Sequence, residues 1–287
     1  MSSTRPVVAA DPAAAARETA LSVEAVAQLL AAETRRAFNL NIVNETGSTN
    51  SDLLRDAARL PSGTALAAEH QTAGRGRRGR SWVAPPGGSL AFSVLWKFER
   101  SAAALSGLSL AVGVAGARAL ERCGTAAGAR FPVQLKWPND LLAPHDGALA
   151  KLGGILIELA ATEAGRTPAV IGIGINVALG DAAAGIDQRV TDLASLGATC
   201  SRNTVLAYLL EELLPVLRTF ERDGLAPLAS EWNARHAFGG KRVMLTSEQG
   251  AGQEGMALGA NADGALLLDT GKGILRVVSG EVSLRAG

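Results

Sequence analysis

The chain has 287 residues, 47% of them hydrophobic and 19% charged, with a formal net charge of +1. That length accommodates a large domain with a smaller companion, or one large domain, around a sizeable core. The near-neutral balance excludes a global field that would recruit nucleic acid or an anionic membrane, so any cationic chemistry must be local.

Residues 1–20 are rich in Ala, Ser and Pro and read as a loose tail. They lack the uninterrupted apolar run of a secretion signal, and Asp11 and Glu18 argue against a transit peptide, which points to the cytoplasm. From Leu21 to Arg36, apolar residues at near-helical spacing predict one amphipathic helix, followed by a strand at 39–43. Gly47-Ser48-Thr49-Asn50 opens a second helix, with Ser48 or Thr49 as N-cap and Asp52 in its first turn. Strands are expected at 64–70 and 88–96, and a long small-residue helix at 103–123. The apolar stretch Leu105 to Leu120 is broken by glycines and Arg118 and reads as too short to span a bilayer.

Further apolar segments fall at 133–136, 155–160 and 170–177, then helices at 202–223 and 227–237. After Phe238-Gly239-Gly240, short alternating segments are separated by Gly, Asn and Asp, the pattern of a small all-β barrel or sandwich. Residues 21–237 are therefore read as one domain and 238–287 as a second. Cys123 and Cys200 match no metal or redox spacing; a disulfide and two free thiols both fit, and two thiols in a reduced compartment is the simpler reading. His70, His145 and His236 are scattered, so a site built from protein metal ligands is not expected.

Residues 74–79 read Gly-Arg-Gly-Arg-Arg-Gly, which matches the GxGxxG pattern and, with Arg80-Ser81, nearly a phosphate-binding P-loop. Both of those motifs need a helix to begin at the glycines. Here Ser81-Trp82-Val83-Ala84-Pro85-Pro86-Gly87-Gly88 follows, and it cannot be that helix. What remains is a flexible loop with four arginines in six residues, suited to phosphate oxygens, or else a solvated basic loop.

The loop belongs to an ordered set. Gly47-Ser48-Thr49-Asn50 precedes it, Gln71-Thr72-Ala73 leads into it and Trp82 follows. Downstream come Lys136-Trp137-Pro138-Asn139-Asp140, Lys151-Leu152-Gly153-Gly154-Ile155-Leu156-Ile157-Glu158 and Gly172-Ile173-Gly174-Ile175-Asn176, with Gly280-Glu281-Val282-Ser283-Leu284-Arg285 near the end. In this order and spacing the chain resembles the biotin protein ligases. The resemblance implies an α+β fold, with a mixed-sheet catalytic domain followed by a small SH3-like barrel. It implies biotin and ATP with Mg²⁺, a biotinyl-adenylate intermediate, and a lysine of a biotin carboxyl carrier domain, such as that of acetyl-CoA carboxylase, as acceptor. Fewer than about fifty residues precede Ser48, with one clear helix among them, so the DNA-binding domain of the bifunctional members is not expected. Neither DNA binding nor membrane association is implied, and the protein is expected as monomer or homodimer.

Carried over residue by residue, the resemblance makes Lys151 and Arg77 catalytic. Lys151 is the cation for the biotin carboxyl and the phosphate; alone it would read as a surface lysine before a strand. Ser48, Thr49, Asn50, Gln71, Arg75, Gly76, Arg77, Lys151 and Gly153 are implied in holding biotin, the glycines 153 and 154 by letting a strand pass close. Arg75, Arg78, Arg80, Trp82, Asn139, Asp140 and Asn176 are implied for ATP or the adenylate, with Trp82 stacking on adenine and Asn176 meeting the base edge. Trp82 reads equally well as core, Trp137 as pocket wall or core, and Asn139 and Asp140 as turn residues after Pro138. Two other readings stay open: a lipoate or octanoate ligase or transferase of the same fold, and a non-catalytic sensor of the adenylate.

Overall fold

The computed structural model describes residues 20–162, 165–247, 252–278 and 282–286. Its first elements are two short helices, α1 (Val23–Leu29) and α2 (Ala32–Ala37). Ser22 caps α1, its hydroxyl accepting from the Ala25 amide at 3.2 Å. Spacing predicts one continuous helix here, and the structure breaks it at Leu30 and Ala31. Backbone groups at the break find side-chain partners instead of helical ones: the Ala31 amide donates to the Glu211 carboxylate at 2.6 Å, a tertiary bond, and the Arg35 guanidinium donates locally to the Leu30 carbonyl at 3.0 Å. Apolar periodicity carries no information about such partners.

Next come β1 (Asn39–Thr46), α3 (Thr49–Arg55), β2 (Thr64–Gln71) and β3 (Ser89–Phe98). β1 and β2 run parallel, and α3 is the crossover that parallel neighbours require. The larger unit is completed by α4 (Leu108–Ala126), β4 (Gln134–Lys136), β5 (Asp140–His145), β6 (Ala148–Leu159), β7 (Thr167–Asn176), α5 (Arg202–Asp223) and α6 (Ala226–Ala234). The other neighbours pair antiparallel, giving a mixed sheet in the order β1-β2-β3-β7-β6-β5-β4.

The segment Ala102–Ala126, which includes α4, is longer than the apolar stretch recognised in the sequence and is long and apolar enough to cross a membrane by length and composition. Its apolarity has a second cause here. Leu108, Val112, Val114 and Leu120 are at most 1% exposed, because α4 lies between the sheet and α5.

Strand β5 has no counterpart in the sequence reading, and it decides where Lys151 lies. Asp146 and Gly147 both take positive φ, 47° and 75°, so an Asp-Gly turn joins β5 to β6 as a tight hairpin. β6 consequently begins at Ala148, and Lys151 lies inside a strand rather than ahead of one. The pairing then slips: Leu141 faces Gly153 and Leu142 faces Lys151, leaving Leu152 as a bulge. A bulge reverses the alternation of faces beyond it, which puts Lys151 and Gly154 on the same side of the sheet.

Beyond α6, β8 (Arg242–Ser247), β9 (Gln253–Ala260), β10 (Leu266–Asp269), β11 (Ile274–Val277) and β12 (Val282–Ala286) form an antiparallel sheet in the order β11-β10-β9-β8-β12. Specific bonds join it to the larger unit. The Trp137 indole donates to the Gly264 carbonyl at 3.1 Å, and Asn233 both accepts from the Ala260 amide (2.7 Å) and donates to its carbonyl (2.9 Å). Trp137, 1% exposed, is core at this joint.

Candidate active site

One face of the large sheet carries a cavity over β3, β6 and β7, walled by the start of α3 and by the glycine–arginine loop. Its floor is made of backbone. A Cβ at Gly172 would come within 2.2 Å of the Asn50 amide oxygen, and one at Gly174 within 2.4 Å of the Trp82 ring. The alternating glycines of β7 therefore let Asn50 and Trp82 lie flat on the strand. On β6, Gly154 faces the Trp82 ring and the Lys151 side chain, whereas Gly153 faces Ile175 and Leu141 on the other side. Of the two glycines, Gly154 lines the cavity and Gly153 does not.

At one end the wall is neutral and polar. Ser48 caps α3, and Ser48, Thr49 and Asn50 are only 3–4% exposed. The Gln71 carbonyl oxygen accepts from the Thr49 amide at 2.8 Å and from its hydroxyl at 3.2 Å. The Thr49 hydroxyl lies 2.7 Å from that of Ser93, and Ser93 donates to the Asn50 carbonyl oxygen at 2.6 Å. The Asn50 NH₂ donates to the Leu156 carbonyl (3.3 Å) and to Glu158 (3.0 Å). Each buried group thus has a partner, and the network holds a fixed array of donors and acceptors against the cavity.

The loop is a hairpin. The Trp82 amide donates to the Gly74 carbonyl at 2.9 Å and the Gly76 amide to the Arg80 carbonyl at 2.7 Å. Its tip is one 3₁₀ turn, Arg77–Gly79, in which Arg78 (φ 59°) and Gly79 (φ 70°) are left-handed. No α-helix starts at these glycines, which disposes of the dinucleotide and P-loop readings. A side chain at Gly74 would meet the Trp82 carbonyl at 2.6 Å, so the close pairing of the hairpin needs glycine there.

The opposite end is cationic. Lys151 Nζ lies 2.7 Å from Asp140 Oδ1, both side chains about 15% exposed, and Lys136 Nζ lies 3.7 Å from the other oxygen. Arg77 Nη1 reaches Asn139 Oδ1 at 3.5 Å, and Asn139 is itself tied to the Ile155 carbonyl at 2.8 Å. Burial, with Arg78 and Arg80 repelling and Asp140 opposing, lowers the Arg77 guanidinium from its ordinary value. Burial likewise lowers the Lys136 ammonium, partly offset by Asp140 and reinforced by Lys151 and Arg80. Arg77, Arg80, Lys136 and Lys151 thus gather around the single carboxylate of Asp140, and the excess positive charge suits a polyanion. Lys151 Nζ also sits 5.8 Å from the centre of the Trp82 ring, whose buried indole N–H has no hydrogen-bond partner. Among the described residues no three His, Cys, Asp or Glu side chains converge as a metal site.

Ser48, Thr49, Asn50, Gln71, Arg75, Gly76, Arg77, Arg80, Trp82, Asn139, Asp140 and Lys151 all line this one cavity. Arg78 does not; it sits at the exposed hairpin tip. Asn176 is 2% exposed and also lies outside the lining, its NH₂ donating to the Lys151 carbonyl (3.2 Å) and the Thr191 carbonyl (3.0 Å). The sequence motifs single out no role for Ser93, Glu158, Lys136 or the glycines of β7. Ser93 does carry a signal there, as a polar residue inside the apolar run 90–96.

Known proteins share this fold. The profile of the Biotin/lipoate A/B protein ligase family matches residues 43–176, and that of the Biotin protein ligase C terminal domain matches residues 238–285. The Bifunctional ligase/repressor BirA of Escherichia coli is 39% identical over 243 residues, covering 83% of this chain and 72% of that one. The Biotin--[acetyl-CoA-carboxylase] ligase of Mycobacterium tuberculosis is 36% identical over 247 residues, 85% of this chain and 88% of that one. The biotin protein ligase from Aquifex aeolicus, solved in complex with biotin and ATP, superposes with a TM-score of 0.73 at 32% identity, covering 87% of this chain and 99% of that one. With its mixed sheet, its small C-terminal sheet and these matches along its length, the chain belongs to the biotin protein ligase family, a family of ligases.

Proposed function

We propose that this chain is an ATP-dependent biotin–protein ligase, which forms biotinyl-5'-AMP and transfers the biotinyl group to a lysine of a biotin carboxyl carrier domain such as that of acetyl-CoA carboxylase. The observation that carries the reading is the polarity of the cavity. A neutral array, buried at Thr49, Asn50 and Ser93 and completed by Gln71, stands at one end and a cation cluster (Lys151, Arg77, Arg80) at the other. Biotin has the matching form, a neutral ureido ring with an anionic carboxylate at the end of its chain.

In the first step a carboxylate oxygen attacks the α-phosphorus of ATP, the bond to the bridging oxygen breaks, and pyrophosphate leaves. Two anions must meet, so fixed positive charge is the main requirement. Lys151 supplies it between carboxylate and phosphate, and Asp140, 2.7 Å away, holds its side chain in place. Arg77 and Arg80 balance the charge of the departing pyrophosphate. A magnesium ion brought in with ATP would supply further positive charge at the phosphates; Asp140, the carboxylate of the cavity lining, is engaged by Lys151 and Lys136.

Ser48, Thr49, Asn50 and Gln71 satisfy the ureido group, Arg75 and Gly76 close over the ring, and Trp82 and Asn139 border the adenylate. Asn176 acts one step removed, by holding the Lys151 strand through its carbonyl. The hairpin covers the mixed anhydride from water. In the second step the acceptor's neutral amine attacks the acyl carbon, AMP leaves, and the amine's proton passes to solvent.

Pyrophosphate release from ATP and Mg²⁺ is the test, with biotin, lipoate and octanoate in separate arms and Lys151→Ala alongside. Release with biotin alone, lost in the variant, supports the reading. Release with lipoate or octanoate instead would mean a different acid in the same fold. Tight adenylate binding without transfer to a purified carrier domain would favour a sensor.

A further inference from the structure

Glu158 stands outside the cavity lining, yet it touches both of the cavity's walls. One carboxylate oxygen accepts from the Asn50 NH₂ at 3.0 Å, and the other accepts from Arg75 of the hairpin at 2.6 Å. Arg75 also donates to Ser51 of α3 at 3.0 Å, so its guanidinium spans from helix to strand. The Glu158 side chain is 19% exposed and that of Arg75 is 46% exposed, so the strand side of this bridge is fixed and the loop side is wet.

A carboxylate accepts and does not donate, so it dictates which end of the Asn50 amide faces it. With the NH₂ drawn to Glu158, the Asn50 carbonyl is presented to Ser93 and the floor of the neutral end. The same carboxylate pins the first arginine of the covering hairpin by a charge-assisted bond. We propose that Glu158 is a positioning residue that couples these two events. Orientation of the ring-binding amide and closure of the hairpin share one carboxylate, so each favours the other. The inference rests on the biotin ligase reading given above.

The test uses Glu158→Gln, which keeps the size and one acceptor, and Arg75→Gln, which cuts the bridge from the other side. Glu158→Gln is expected to raise the KM for biotin about tenfold with kcat for adenylation within about twofold, the scale of one charge-assisted bond. It should also release biotinyl-AMP into solvent faster by a similar factor. Arg75→Gln should speed adenylate release as well, and the double variant should exceed neither single one. A second readout is limited trypsin cleavage at the hairpin arginines: biotin should protect the wild-type loop and fail to protect Glu158→Gln. Unchanged KM, release and protection in Glu158→Gln, or effects that multiply in the double variant, would overturn the proposal. A wild-type protein with neither biotin-dependent pyrophosphate release nor protection would instead remove the ligase reading itself.

Discussion

The two ends of the cavity are built in opposite ways. At the neutral end, Thr49, Asn50 and Ser93 are at most 3% exposed, and their bonds to one another hold their side chains in place whether or not a ligand is bound. At the cationic end, Arg77 and Arg80 belong to a hairpin whose like charges repel, and Lys151 is held by Asp140. A preorganised wall suits recognition, because little ordering remains to be done on binding. A repelling cluster suits chemistry, since it stabilises the extra negative charge that gathers as two anions meet. On this account, lesions at the neutral end act on KM and lesions at the cationic end act on kcat.

The largest effect is expected from Lys151→Ala, a fall of about 10²- to 10³-fold in adenylation kcat with a smaller change in biotin affinity, measured in single turnovers. Next is Gly172→Ala. Its methyl would fall 2.2 Å from the Asn50 oxygen and drive that side chain off the strand. Biotin KM should rise by about 10²-fold while ATP KM stays near wild type. Ser93→Ala removes the hydroxyl that joins Thr49 to Asn50; it should raise biotin KM about tenfold and lower stability by about 1–3 kcal/mol in urea unfolding.

A control lies away from both ends, where no effect on biotin KM is expected. His236 is buried against Trp232, their rings 4.8 Å apart, with neither ring nitrogen hydrogen-bonded. Burial, with Lys241 adding repulsion, pushes its imidazole from 6.5 down to about 4. Between those two pH values the unfolded chain binds a proton that the folded one does not. Its contribution is therefore complete above pH 6.5 and falls by at most about 3 kcal/mol as pH drops toward 4, with no further loss below. Urea unfolding of His236→Leu across this range should show a shallower slope than wild type, with the biotin KM unmoved.

Much of this architecture is legible in the sequence, and what is hidden has physical causes. The helix expected at 202–223 is Arg202–Asp223, because its apolar positions face one core and Ser201 caps it. β5 is hidden because Pro138 and Pro144 bracket a short apolar run, although Asp146-Gly147 is a hairpin signal once sought. The cationic end is legible because lysine and arginine next to glycine are conspicuous in a chain of near-zero net charge. The neutral end is less so: Ser93 meets Asn50 across 43 residues, and Glu158 meets it across 108. The bulge at Leu152, which turns Lys151 toward Asp140, is a register event that spacing cannot reveal.

The most direct measurement is a biotin titration of pyrophosphate release in Ser93→Ala and Lys151→Ala side by side with wild type. The account predicts that Ser93→Ala moves KM about tenfold with kcat within about twofold, while Lys151→Ala lowers kcat by about 10²-fold or more. If both variants shift the same parameter, or if Ser93→Ala lowers kcat with KM unchanged, the division of the cavity into a recognition end and a chemical end is wrong.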